Sequence, residues 1–482
     1  MACRWPEPIF TTPVRPSEAT EGWAACPTEI LAVVYDHLRP RYRYYASRVC
    51  RQWYHAFSHR ASWDTFVFRD YCWTRAKFTL HAGYQYFIDF IKLRFLVNNT
   101  ARRWRTIIFK PVTLINNMYE FMRALSNYSE FYGRSSGNPL TRLDTLEFNW
   151  AMKFQNPTEH SVQTYGTGGE LLNGLVNFLG HLHGIRRLSL RQLLLDESEV
   201  DSCLNDILNF FGTSLEYLCI LNLTKVPHPC EHIGLFVSLE KLVISPQHLS
   251  DPLVDLLSSL TNLQTVVIVQ DDSTCDRVSC VSEKAWRRFQ SSGRGAKVHL
   301  VCKGLCEQDL IWQPGAPVVS IVYENPAAML TIKDATIISS EYGNTLEIFV
   351  QKGFQRRFRP KSFDERIDPS LIMLVRFCRH LRLIGIRERL STSTALLIAE
   401  LIGYKRDCLF LVRRNALLKR ADLPFDEGVL SRDAWTRLCC CARDYDCAIE
   451  EMSSILRRNW VPLRDGDYKW IFRSIRTSDP GI

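Results

Sequence analysis

The 482 residues predict an α/β fold in three parts: a small all-helical unit, an irregular solenoid of parallel strands and outer helices, and a helical cap. Three observations predict it. Apolar stripes of helical period are crowded between Pro27 and Phe57. A short strand-like pattern, Leu-x-x-Leu-x-Leu in type, returns many times from Leu143 onward. Amphipathic helix-like stretches lie between its copies. The boundaries that follow are 1–25 for a flexible tail, 26–70 for the helical unit and 71–142 for a helical connection and N-terminal repeat cap. The repeats then occupy 143–425 and the C-terminal helical cap 426–482.

Composition narrows the class. Hydrophobic residues are 46% and charged residues 23%, the balance of a folded chain and not of a disordered one. No apolar run approaches the roughly 18 residues needed to span a bilayer, so no membrane partner is expected. The first residues carry no apolar leader, so the 17 cysteines are expected as free thiols in a reducing compartment, cytosolic or nuclear. The sequons at Asn98, Asn127 and Asn222 then carry no weight.

Charge is concentrated. Residues 351–420 hold 17 Lys/Arg against 6 Asp/Glu, whereas the rest of the chain has 43 basic against 45 acidic residues. The densest part contains Arg356, Arg357 and Arg359. Such a run attracts acidic or phosphorylated protein, or nucleic acid; it also suits a solvated loop paired with its own carboxylates.

Order is expected from Pro27, placed for the first turn of a helix. Ile30, Leu31, Val34, Tyr35 and Leu38 share one helical face, and Pro40 stops the run. After an Arg/Tyr-rich link (Arg41–Tyr45) comes a second stripe of Ala46, Val49, Cys50, Trp53 and Phe57. Trp63, Phe66 and Phe68 follow, the last two at strand spacing. So small a unit cannot bury this much apolar surface internally, and the surplus calls for a partner or for the segments that follow.

Cys26-Pro27-Thr28-Glu29-Ile30-Leu31, then Leu38, Val49-Cys50-Arg51-Gln52-Trp53 and Trp63 resemble an F-box over Cys26–Asp70. Cys26 stands where that family has leucine, and Tyr35 where phenylalanine is common; both keep apolar bulk. The resemblance implies a three-helix hook that docks on the Skp adaptor of a Skp–cullin–F-box ubiquitin ligase. Its adaptor contacts would be Pro27, Ile30, Leu31, Val34, Leu38, Val49, Cys50 and Trp53.

The repeat reads Leu143/Leu146/Phe148, Ile185/Leu188/Leu190, Leu215/Leu218/Ile220, Leu239/Leu242/Ile244 and Leu263/Val266/Ile268, with weaker copies at Val318/Ile321/Tyr323 and Leu381/Ile384/Ile386. Helical stripes fall between them, at Leu171–Leu179, Val200–Phe211 and Leu253–Leu260. The pattern is similar to leucine-rich repeats, although the asparagine or cysteine that would ladder their turns is missing: Ala151, Leu193, Leu223, Gln247 and Asp271 stand there. An ordinary parallel α/β domain is the alternative. If the repeats are real, strands line a concave surface and helices the convex one. Thr145, Glu147, Asn149, Arg187, Ser189, Arg191, Tyr217, Cys219, Leu221, Lys241, Val243, Ser245, Thr265, Val267 and Val269 would then face the concavity. Candidate target contacts are Arg187, Arg191, Tyr217, Lys241, Arg356, Arg357 and Arg359. Ser431–Trp460 reads as one long amphipathic helix, N-capped by Ser431, that shields the last repeat.

No catalytic motif emerges, and no cofactor or metal is expected; the one cluster of ligand types, His228-Pro229-Cys230-Glu231-His232, lacks a matching second pair. The F-box resemblance then implies a non-enzymatic substrate receptor that binds adaptor and cullin at one end and a protein target at the other. The second reading is a scaffold or nucleic-acid-binding solenoid that uses the basic 351–420 stretch.

Overall fold

The computed structural model describes residues 22–38, 40–69, 73–80, 83–112, 114–136, 140–150, 153–155, 162–164, 166–275, 278, 280–293, 295–304, 309–354, 362–403 and 408–478. They form two compact units, Met1–Lys225 with Leu235–Leu239, and Val226–Gly234 with Glu240–Ile482.

The first unit opens with three short helices, α1 (Thr28–His37), α2 (Pro40–Ala46) and α3 (Arg51–Phe57). Two local expectations are corrected here. Pro27 is the N-cap and not the first helical residue. The Arg/Tyr-rich stretch expected as a link is itself α2, and Pro40 begins it: a proline at N1 loses no helical hydrogen bond. The stripe from Ala46 to Phe57 is thus split, with Cys50 as the N-cap of α3.

Strand β1 (Thr65–Phe68) follows, then a hairpin of β2 (Thr74–Thr79) and β3 (Gly83–Ile88). Next come α4 (Phe90–Thr100), β4 (Thr106–Phe109), α5 (Ile115–Ser136) and β5 (Thr145–Asn149). A small hairpin of β6 (Lys153–Gln155) and β7 (Val162–Thr164) precedes α6 (Glu170–Gly180), β8 (Arg187–Arg191), α7 (Glu197–Phe211) and β9 (Tyr217–Leu221). Strands β1, β4, β5, β8 and β9 pair in that order, all parallel. Parallel pairing therefore begins at Thr65, well ahead of Leu143 where the sequence shows its first repeat. The stretch 71–142, expected as helical, also holds a hairpin and one of these strands.

Aromatic rings knit this first region. Phe66 stacks on Trp104 at 4.4 Å and Phe68 lies 4.6 Å from Phe121. Phe109 meets both Phe148 (5.5 Å) and Phe178 (6.3 Å). All of these rings are buried, and each contributes roughly 1.5–3 kcal/mol by leaving water. The turn after β8 solves the missing-asparagine problem without a side chain. The amides of Gln192, Leu194 and Leu195 donate to the carbonyls of Leu221, Asn222 and Leu223, so successive turns are joined backbone to backbone.

The second unit repeats the scheme: β10 (Lys241–Ile244), α8 (Asp251–Ser259), β11 (Thr265–Gln270), α9 (Glu283–Ser291), β12 (Lys297–Cys302) and β13 (Val318–Tyr323). It continues with α10 (Ile332–Tyr342), β14 (Ile348–Gln351), α11 (Asp368–Phe377), β15 (Leu383–Ile386), β16 (Leu390–Ser391), α12 (Thr392–Gly403), β17 (Leu409–Val412) and β18 (Leu417–Leu418). Strands β10 to β15 and then β17 pair in chain order, all parallel, while β16 and β18 form a separate parallel pair. Helices pack neighbour on neighbour, α8 on α9 and α10 on α11 on α12.

The expected long terminal helix is instead two, α13 (Arg432–Cys441) and α14 (Tyr445–Leu456). The cause is local: the Asp444 carboxylate accepts from the amides of Asp446 and Cys447 and so starts a new helix. Ser431 does cap α13, accepting from the Ala434 amide at 3.3 Å. Both helices pack on α12. A last helix, α15 (Asp465–Ser478), lies on the strands themselves. Its Tyr468 and Phe472 pack against Val350, with Ile348, Leu383 and Leu411 around them.

That placement overturns the open concave face. Since Phe349 and Val350 point to opposite sides of β14, α15 covers the very side expected to be free. More generally Ser189, Cys219, Leu221, Val243, Ser245, Val267 and Val269 are buried rather than exposed. Only Thr145, Glu147, Asn149, Arg187, Arg191, Tyr217, Lys241 and Thr265 remain even partly open.

Candidate adaptor-docking face

The three N-terminal helices are held together by a few directed contacts around a very small core. Leu31, Ala32 and Tyr35 of α1 are fully buried. The Tyr35 ring meets Trp53 edge-on at 5.7 Å and Phe57 at 6.1 Å, and its hydroxyl donates to the Trp53 carbonyl at 2.9 Å. Burial raises that hydroxyl far above the ordinary phenol range, so it stays a donor. Tyrosine at this position therefore adds a tie that phenylalanine could not make.

Arg43 is the second fastener. Its guanidinium donates to the carbonyls of Leu38 (2.9 Å), Asp36 (3.1 Å) and Ser62, and lies 5.0 Å from the Trp63 ring centre. Burial lowers its pKa, partly offset by the nearby Asp36 carboxylate. A buried guanidinium is tolerable only when its protons are taken up, and here three carbonyls do so. Trp63 in turn donates to the Phe57 carbonyl at 2.8 Å.

With the inner face spent on this core, the outer face is left apolar and open. Ile30 is 53% exposed, Val33 57% and Val49 69%. Trp23, Ala24, Val34, Val49, Cys50 and Trp53 line a groove of about 360 Å³. Three bonds from α3 shape it: Gln52 Nε2 donates to Cys26 O (3.2 Å) and Thr28 Oγ1 (3.0 Å), and Trp53 Nε1 donates to Trp23 O (3.2 Å).

Of the residues expected to meet an adaptor, Val34, Val49, Cys50 and Trp53 are thus gathered around one groove. Pro27 and Ile30 are exposed beside α1 and Leu38 is half-buried, none of them lining it. Leu31 points the other way, into the unit's own core. Sequence reasoning missed Trp23, which lies in the stretch read as a tail, and Val33. A tryptophan just ahead of Cys26-Pro27 was the available signal.

The F-box domain family matches residues 23–65. The chain carries an F-box domain. That match starts at Trp23, so the groove's outermost ring is part of the F-box and not of a tail. F-box domains bind the Skp adaptor in Skp–cullin–F-box ligases, and F-box proteins are typically adaptor subunits of those ligases. No curated protein matches the chain.

The other candidate residues are scattered. Arg187 and Tyr217 face each other across adjacent strands, the guanidinium 5.0 Å from the ring centre. Arg191 is half-buried, with Nε donating to Ser189 Oγ at 2.9 Å. Lys241 is half-buried in the second unit. Arg356, Arg357 and Arg359 lie outside the described residues. Among the described residues no three His, Cys, Asp or Glu side chains converge as metal ligands. Cys230 is fully buried, and His228 takes part through its carbonyl, in contact with His248 Nδ1 at 3.0 Å. No helix among them is long and apolar enough to cross a membrane.

Proposed function

We propose that the chain is the target-recognition subunit of a Skp–cullin–F-box ubiquitin ligase. Its F-box groove takes the adaptor, and its strand–helix units form a leucine-rich-repeat-like array that holds the protein to be modified. Ubiquitin transfer then belongs to other subunits, and this chain contributes proximity and orientation. The observation that carries the reading is the apolar face around Val49 and Ile30, which the described part of the chain leaves open while Leu31 and Tyr35 behind it are sealed. Support for the array comes from strand order that follows chain order within each unit, and from helices that pack in the same sequence.

Val49→Asp places a charge in the groove and Ile30→Asp one on the exposed side of α1, neither touching the core. Each is expected to abolish co-purification of the Skp adaptor while the melting temperature stays unchanged. Leu31→Asp would not separate binding from folding, because Leu31 is internal. Full adaptor recovery with Val49→Asp and Ile30→Asp combined would refute the docking face.

A further inference from the structure

Helix α15 removes the strand face at β14–β17 from reach, so whatever approaches this part of the second unit meets the outer side of α15 instead. We propose that this side, built on Trp470, Lys469 and Arg473, is a docking surface for an acidic peptide segment of the target. The inference rests on the target-receptor reading above and names the chemistry of what it receives.

At 100° per residue, Tyr468 and Phe472 fix the buried side of α15 and Trp470 falls opposite. It is 70% exposed, a large ring turned largely to solvent on a helix whose other side is packed. Lys469 and Arg473 stand one helical turn apart on the same flank, both exposed. Among the described residues neither has a carboxylate partner, and two like charges at that spacing repel.

A neighbouring segment holds Lys469, and another cation stands close by. Phe354, which follows β14, lies between the Lys469 ammonium at 4.2 Å and the Arg413 guanidinium at 4.6 Å. Arg413 is already neutralised by Asp465 at 3.0 Å, and Asn415 Nδ2 donates to the other oxygen of that carboxylate at 3.1 Å. Arg414 is exposed beside them. The one carboxylate on the opposite flank of Trp470 is Asp467, also exposed.

This is a discrete patch: an aromatic anchor, cations on one side, an acid on the other. A continuous phosphate backbone needs a longer track of positive charge and would be repelled at Asp467. A short acidic segment with one apolar side chain fits, its carboxylates on Lys469 and Arg473 and its apolar group on Trp470, the residue type most often dominant at such sites.

The test uses the full chain purified with its adaptor, and fluorescence anisotropy of a labelled glutamate-rich peptide with interspersed phenylalanine. Binding is expected and should fall with added salt. Trp470→Ala is expected to weaken it roughly tenfold, and Lys469→Glu with Arg473→Glu by more. The same peptide with lysine for glutamate should not bind. Adaptor recovery and melting temperature, scored on the same preparations, should match the unaltered chain in every variant. An acidic peptide that does not bind, or binds equally to all variants, overturns the proposal; so does a labelled oligouridylate that binds more tightly through the same residues. Loss of the adaptor from the unaltered chain would instead count against the receptor reading.

Discussion

The contact between Gly385 and Phe472 offers a sharp test of where α15 sits. A Cβ added at Gly385 would lie 2.5 Å from the Phe472 ring and 3.4 Å from Val350. Gly385 has an ordinary negative φ, so alanine there carries no backbone penalty, and in an open site it would stabilise by about 0.4–1 kcal/mol. With the ring in the way, Gly385→Ala should instead cost about 1–3 kcal/mol as an overpacked core does. Phe472→Ala, at a site only 3% exposed, should cost about 3–5 kcal/mol. Combined, the added methyl enters space the ring has left, so the pair should cost less than the two singles together by about 1–2 kcal/mol. For a unit of this size 1 kcal/mol moves the midpoint by roughly 2–4 °C, so Phe472→Ala alone should lower it by on the order of 10 °C. Thermal unfolding of the four proteins, followed by near-ultraviolet circular dichroism, reads this directly. Strict additivity, or a stabilised Gly385→Ala, would mean that the helix does not rest on β15.

Two further predictions concern buried charge. Glu388 is enclosed and accepts from the Leu330 amide and from Gln351, and desolvation pushes its carboxyl up to about 7. Its pKa is thus higher folded than unfolded, so the folded chain loses stability as pH rises from about 4.5 to about 7 and no more above that. Glu388→Gln keeps the acceptor and removes the titration: its melting advantage should be present at pH 8 and fade toward pH 5. An advantage independent of pH would rule out Glu388 as the source. Arg43→Met leaves the buried Ser62 carbonyl without its donor, at roughly 1–3 kcal/mol, and removes the part-buried bonds to Leu38 and Asp36 as well, which together should unfold the F-box. Protease sensitivity confined to residues 23–65 is the expected readout, with adaptor binding lost in parallel.

Much of this was legible in the chain because it depends on periodicity. Leu146 and Phe148, Leu188 and Leu190, Leu218 and Ile220 form strand pairs that the spacing announces, and all are buried. The helices between them are equally plain from the stripes at Leu171–Leu179, Val200–Phe211 and Leu253–Leu260. What escaped had its cause in tertiary contacts. Pro40 starts α2 where proline chemistry alone permits either an end or a beginning. Leu31 and Ile30 are adjacent and both apolar, yet one is fully buried and the other is open, a difference no spacing rule assigns. Helix α15 shows a stripe, but nothing in the stripe says that its partner is a strand face and not another helix.

The wearing-out of the repeat pattern along the chain then has a physical reading. In β5, Thr-Leu-Glu-Phe-Asn alternates because one face is only half-covered; in β13, Val-Val-Ser-Ile-Val-Tyr does not, because all six residues are buried. Strands shielded on both faces lose the selection for polar residues at every second place and read as continuous apolar runs. In β14 and β15 that second face is covered by α15. Strands covered in this way present no polar or aromatic groups of their own on that face, and those groups stand elsewhere. The Arg187–Tyr217 pair on the half-open strands of the first unit, and the Trp470 patch on the covering helix of the second, are where such groups stand.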